Sequence, residues 1–255
     1  MKTPTAIVMS FAFFALSNLN GQSDSIPLGK VIYARNICIP GSNSAYMNGS
    51  TSLLFNRTNS VFIHNAVPEN DSSYTDSQYI FEVKAYGDSE GFPIYRKHGQ
   101  PWLITKFPCK ESKVHCIVSD TVNDMNWKLH PEFRIIGQFN CQKAVCQFRG
   151  RSYVAWYTLE IPISSGPYKF GGLPGLILDV ESTDGLVKFN FVSLEISSSL
   201  TDVIRPPSGI YLSLSLQAYY REESLFFKNL IDEAKAKGVG MTIERNADIE
   251  LISPD

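Results

Sequence analysis

The chain is poor in the features that most often announce a chemistry. It has four histidines (His64, His98, His115 and His130), and no two stand at an H-x-x-x-H spacing. Its five cysteines include no C-x-x-C pair and only His115 neighbours one of them, so a zinc centre has no ligand set to draw on. There is no G-x-S-x-G elbow, no G-x-x-x-x-G-K-[ST] and no G-x-G-x-x-G. The sequence signatures of a serine hydrolase, a phosphate-cradling loop and a dinucleotide fold are therefore missing. No metal or cofactor is expected. Charge of one sign is also scarce: Lys and Arg number 23 against 25 Asp and Glu, with no long run of either. That excludes the basic footprint of a nucleic-acid binder. Beyond residue 22 no apolar run reaches the roughly 18 residues a membrane helix needs, so no transmembrane segment is expected in the mature chain.

What is present starts at the N-terminus. Lys2 precedes an apolar run from Ala6 to Leu16, with "IVMSFAFFAL" at its heart, and the small or polar Ser17, Asn18, Asn20 and Gly21 follow. This is the pattern of a secretory signal peptide, and it is too short to span a bilayer. A buried N-terminal strand is the competing reading, and the abrupt turn to polar residues after Gly21 speaks against it. The expected organisation is a signal peptide at 1–22 and a single domain at 23–255, exported to the periplasm, the cell surface or the medium. In an oxidising compartment Cys109/Cys116 and Cys141/Cys146 are disulfide candidates, with Cys38 left over. The second pair needs a bend, because positions i and i+5 of a strand face opposite sides.

The rest reads as short strands separated by turn residues, at the spacing of an all-β sheet. "KVIYARNICI" (30–39), "SLLFNRT" (52–58), "SVFIHNA" (60–66), "YIFEVKAYG" (79–87), "FPIYRKH" (92–98), "PWLITKF" (101–107) and "KVHCIVSD" (113–120) are β-rich, while "PENDSSYTDSQ" (68–78) reads as a surface loop. From Glu132 the pattern sharpens. Tyr153, Ala155, Tyr157, Leu159 and Ile161 form one apolar face, with Thr158 and Glu160 on the other, as in a half-buried strand, and "TDG" at 183–185 marks a hairpin. One helix is expected over 215–238, with Leu216, Tyr220, Phe227, Leu230, Ile231 and Ala234 at three- and four-residue steps and Gly238 as its stop. Its stripe should cover one face of the sheet.

Between two of these strands lies "GPYKFGGLPG" (166–175), four glycines and two prolines in ten residues. Gly171 and Gly172 allow positive φ or a close approach of another chain segment. Leu173-Pro174-Gly175 suggests a type II turn. The glycines precede a strand, Leu176-Ile177-Leu178, and not a helix, so an architectural role is favoured over a ligand clamp.

The run "CQKAVCQFRGRSYVAWYTLEIPISSGPYKFGGLPGLILDV" (141–180) closely resembles the core of the GLPGLI family, named for the hexapeptide that stands here as Gly172, Leu173, Pro174, Gly175, Leu176 and Ile177. The "NDMNWKL" segment around Trp127 and the "CQKA" at Cys141–Ala144 are similar to it as well. The resemblance implies an exported protein of Bacteroidota-type bacteria with no known biochemical function, and it offers no catalytic residues. A weaker likeness, to periplasmic lipoprotein-carrier-like half-barrels, implies a mainly β fold: a curved antiparallel sheet or half-barrel with a C-terminal helix packed against it.

Three classes of function follow. A non-catalytic binding or carrier-like module would take an apolar small molecule or an envelope protein partner on its aromatic residues. Trp156, Tyr168 and Phe170 are the candidates, with Arg149 and Arg151 as anion-holding neighbours. A structural or protein-interaction component would instead have a filled core and an exposed apolar patch. An enzyme is the weakest reading: Glu160 and Asp179, on adjacent candidate strands, could form a carboxylate pair but have the look of a solvated one.

Overall fold

The computed structural model describes residues 28–38, 45–64, 73–76, 79–82, 91–109, 115–122, 125–197, 204–207 and 211–238. The expected signal peptide lies outside them. Fourteen strands and one helix follow in order: β1 (Leu28–Cys38), β2 (Ala45–Phe55), β3 (Asn59–His64), β4 (Ser73–Asp76), β5 (Tyr79–Glu82), β6 (Phe92–Lys97), β7 (Trp102–Pro108), β8 (His115–Thr121), β9 (Lys128–Ile136), β10 (Phe139–Phe148), β11 (Arg151–Thr158), β12 (Leu176–Ser182), β13 (Val187–Ser197), β14 (Tyr211–Ser215) and α1 (Leu216–Ala236). The fold is mainly β. Twelve strands form one open sheet in the order β14-β8-β7-β6-β3-β2-β1-β13-β12-β11-β10-β9, and β4 pairs with β5 apart from it. Part of the stretch expected to be a loop, Ser73–Asp76, is thus a strand. Of the pairings in the large sheet only β14 with β8 is parallel.

The connection between β8 and β9 shows that this sheet is rolled. The two strands stand ten places apart in the strand order, which in a flat sheet is roughly 48 Å at about 4.8 Å per strand. Yet β8 ends at Thr121 and β9 starts at Lys128, a step that even a fully extended chain covers in no more than about 25 Å. The two ends of the sheet must therefore curl toward each other. Side chains report the same closure: Arg149, in the β10–β11 turn, forms an ion pair with Asp120 of β8.

Strand alternation explains which residues line the interior. In β1 Val31, Tyr33, Arg35 and Ile37 are buried while the residues between them are not. Register carries that face across the sheet, aligning Tyr33 with Thr51 and Thr51 with His64, and Ser60 with Arg96 and Leu103 with Asp120. The result is one continuous apolar core containing Val31, Phe62, Leu103, Tyr153, Phe170 and Phe189, drawn from both halves of the roll. Each such side chain contributes on the order of 1.5–3 kcal/mol by leaving water.

The helix departs from its expected packing. Ser215 caps it by accepting from the Ala218 amide, and Gly238, at φ +74°, ends it in the left-handed conformation. Only Leu216 and Tyr219 are buried, against Cys109, Cys116 and Val118. Leu225 and Leu230 are exposed, so the apolar stripe covers the sheet with its first turn alone. Cys109 and Cys116 form a disulfide beneath that turn. Cys141 and Cys146, expected as a second pair, are both free and buried. The reason is geometric: β10 pairs with β11 in unbroken register from Cys141 to Phe148, which keeps the two thiols apart along an extended strand. They stand roughly 16 Å apart along the strand, where a disulfide tolerates about 7 Å between Cα atoms.

Candidate functional site

The segment 159–175, which joins β11 to β12, lies inside the roll and ties its two halves together. Ser165 Oγ donates to Ser60 Oγ of β3 (3.0 Å), Arg96 of β6 donates to the Lys169 carbonyl, and Trp127 Nε1 donates to the Gly171 carbonyl (2.8 Å). Tyr33 of β1 donates to the Ile177 carbonyl at the segment's far end (2.8 Å). Burial and the negative charge of Asp179 push that phenol well above its ordinary pKa, so it stays a donor. Inside the loop the Gly172 amide donates to Ser164 Oγ (3.0 Å).

Two glycines of the signature have different causes. Gly172 adopts φ +86°. Gly175 does not have a positive φ, so the expected type II turn is not formed. It is needed because a Cβ there would lie 2.0 Å from the Thr158 carbonyl oxygen, where β12 leaves the loop against the end of β11. The hexapeptide is a backbone crossing with no room for a side chain at Gly175, and Leu173, Leu176 and Ile177 anchor it in the core.

Around this plug lie charges that the sheet pattern should exclude. Lys169 is fully buried and meets Asp120 at 2.9 Å; Arg149 meets the same carboxylate. Burial alone would raise the Asp120 pKa, but the hydrogen bond from Arg149 and the charge of Lys169 outweigh it and hold the carboxyl below its usual range. Arg149 takes φ +46° to reach it, a conformation L residues seldom adopt. A second, half-buried pair sits on β1 and β3, where Arg35 Nη1 lies 2.8 Å from His64 Nδ1. Arginine only donates, so Nδ1 carries the lone pair and the ring proton is on Nε2. Burial, then the charges of Arg35 and Lys169, push His64 down to about 3.

Two hollows open beside these groups. One, of about 280 Å³, is bordered by Arg96, His98, Val122, Met125, Ser164 and the Gly171–Gly172 backbone. The other is a groove of about 570 Å³ between the β9–β10 turn and the outer half of β13, with Phe139, Ile161, Phe191, Leu194 and Ile196 along it and Glu160 at its rim. Next to that turn β9 ends the sheet, with Leu129, Phe133 and Ile135 at 53%, 62% and 77% exposure. Its charged side chains point to β10 and β12: Glu132 pairs with Lys143, and Arg134 pairs with Asp179 while stacking on Trp156 at 4.3 Å.

The residues named from sequence fall into separate places. Phe170 is fully buried, ringed by Trp127, Phe148, Tyr153 and Tyr168. Tyr168, at φ +54°, packs edge-on to His64. Trp156 is half-buried under Arg134. Arg149 serves Asp120, whereas Arg151 is buried and paired with Asp184. Glu160 accepts from the Asn140 amide (2.8 Å) and Asp179 from the Phe191 amide (2.7 Å), so these carboxylates have different partners and form no acid–base pair. Sequence reasoning passed over Arg35, His64, Arg96, Asp120 and Lys169. For the strand residues a signal was there: Val31-Tyr33-Arg35-Ile37 and Ile94-Arg96 put a charge in the apolar phase of an alternating strand.

A family model described as a protein of unknown function (Porph_ging) matches residues 149–179, the stretch that holds the GLPGLI hexapeptide and most of the plug. The family is typical of Bacteroidota. No curated protein matches the chain. Two solved structures of PNGF-II, in space groups C2 and P21, are similar to it, with TM-scores of 0.53 and 0.52 at 14% and 15% identity. They cover 79% and 77% of this chain, which spans 33% of each of theirs. At that identity the likeness concerns the β-rich fold alone.

Proposed function

We propose that this chain is an exported, non-catalytic binding module of the cell envelope that docks an extended apolar segment of a partner protein along β9. One observation carries this reading. β9 ends the sheet. Pro131 and a register shift in its pairing with β10 interrupt it, the outer N–H and C=O groups of its Phe133–Ile136 half have no strand partner among the described residues, and it exposes Leu129, Phe133 and Ile135. Sheets normally blunt such edges, and an exposed, partly apolar one is the template for strand addition. The interior speaks for binding at the surface: the 159–175 plug fills the face where a carrier would hold its cargo. Export accords with the Cys109–Cys116 disulfide and with the family resemblance.

Site-specific photo-crosslinking in the native host tests it. A photoreactive residue at Ile135 should yield one discrete adduct with a partner protein, lost in Phe133→Asp, while the same residue at the exposed Lys97 yields none. No adduct at Ile135, or equal adducts from both positions, would refute docking on β9. The groove beside the β9–β10 turn favours a second reading, a carrier for an apolar small molecule. Native mass spectrometry of the periplasmic protein separates the two, since a mass excess that vanishes on denaturation belongs to the carrier. The N-terminus of that protein should begin near residue 22.

A further inference from the structure

We propose that the hollow between Arg96, Ser164 and the Gly171–Gly172 backbone is a binding site for a small organic monocarboxylate with a short apolar body. Arg96 is the key. Its guanidinium has five N–H donors, of which one described hydrogen bond, to the Lys169 carbonyl, is made. It forms no ion pair among the described residues. The Asp120 carboxylate supports its charge without bonding it, being bonded to Arg149 and Lys169. A cation without a bonded anion therefore forms part of the wall of a cavity of about 280 Å³, the room of roughly nine waters at ~30 Å³ each.

The other walls narrow the ligand. Val122 and Met125 are buried apolar residues, and with Pro101 they face a body that prefers to leave water. The Gly171 carbonyl is taken by Trp127 and the Gly172 amide by Ser164 Oγ, so neither backbone group is left for a ligand. Ser164 accepts in that bond and keeps its own O–H to donate, placing a second donor on the wall that Arg96 shares. Burial and the Arg96 charge lower the pKa of His98, which holds it neutral near pH 7 and adds no second positive charge. One cation and one hydroxyl suit a monoanion, and a phosphate dianion would want more charge. Gly171 keeps the arginine in place: a Cβ there would sit 2.8 Å from Arg96 Nη1 and push the guanidinium off the cavity wall.

The test is calorimetric or NMR titration of the purified protein at pH 7 with hexanoate and benzoate as probes, and hexanamide and inorganic phosphate as comparators. The expectation is saturable one-to-one binding of a carboxylate, weakened at least tenfold by Arg96→Gln and about threefold by Ser164→Ala, with hexanamide at least tenfold weaker than hexanoate. Should Arg96→Gln fail to fold, Gln100→Trp, at an exposed position on the rim, is expected to block the cavity with the near-UV spectrum unchanged. The proposal is overturned if neither carboxylate binds saturably, if Gln100→Trp and every folded Arg96 variant bind as the parent does, or if hexanamide or phosphate binds as tightly as the carboxylates.

Discussion

Acid should unfold this protein earlier than its carboxylates alone would cause, and the group responsible is His64. In the native state its Nδ1 accepts from Arg35, and burial together with the charges of Arg35 and Lys169 pushes its pKa down to about 3. In the unfolded chain it returns to about 6.5. Between those values the unfolded chain binds a proton that the native one refuses, so native stability is lost as the pH falls. At about 1.4 kcal/mol per pH unit, His64 by itself removes about 3 kcal/mol between pH 7 and pH 4. The Arg35 guanidinium stays protonated throughout that range and keeps its positive charge against the ring. His98, whose pKa is also lowered, adds to the same slope, and Asp120 contributes only below the ordinary carboxylate range. The assay is urea unfolding at pH 7, 6, 5 and 4 for the parent and for His64→Gln, whose amide oxygen can still accept from Arg35. With an m-value of about 3 kcal/mol/M, the parent midpoint should fall about 1 M further than that of the variant. Equal slopes in the two proteins would show that His64 takes up a proton as readily in the native state as in the unfolded one, and the reading of the Arg35–His64 pair would be wrong.

Other expectations concern the plug, its ion pairs and the thiols. Gly175→Ala forces a Cβ to within 2.0 Å of a carbonyl oxygen and should cost about 3 kcal/mol or more, whereas Gly185→Ala, at φ +75° but with open space around it, should cost about 1 kcal/mol; thermal melts of the two variants decide between close approach and backbone conformation as the cause. Asp120→Asn leaves Lys169 buried without its carboxylate and should lose about 3–5 kcal/mol in chemical denaturation, while Glu181→Gln, which breaks an exposed pair with Lys188, should lose less than about 1 kcal/mol. An aromatic-disulfide thiol reagent should leave Cys141 and Cys146 untouched in the native protein, because burial pushes them up to about 11 and about 12. In denaturant without reductant it should count three thiols, Cys38 included; a count of one would restore the second disulfide. Removing the Cys109–Cys116 bridge, which closes a short loop, should cost about 2–3 kcal/mol by equilibrium unfolding.

Local patterns made much of the architecture readable. The β-rich run at 30–39 and the alternation at Tyr153-Ala155-Tyr157 announced strands, Thr183-Asp184-Gly185 announced a hairpin, and the run from Leu216 to Gly238 announced the helix and its stop, because each rests on residues a few positions apart. The hexapeptide carried the resemblance to a family whose model matches residues 149–179, and its glycines pointed to tight backbone. Which strand lies beside which was not legible, since β1 pairs with β13 more than a hundred residues away and the roll brings Arg149 to Asp120. For the same reason a buried Lys169 looked like any loop lysine: its carboxylate arrives from a strand remote in sequence. The helix stripe misled in the opposite sense, because amphipathic spacing says that a face can be buried and not how much of it meets the sheet. Composition and period thus decided that the chain is β-rich with a crowded crossing at 166–175. Only the folded sheet decided that the crossing plugs its interior, that Arg96 is left facing a cavity, and that β9 is left as an edge, because those outcomes depend on contacts between residues far apart along the chain.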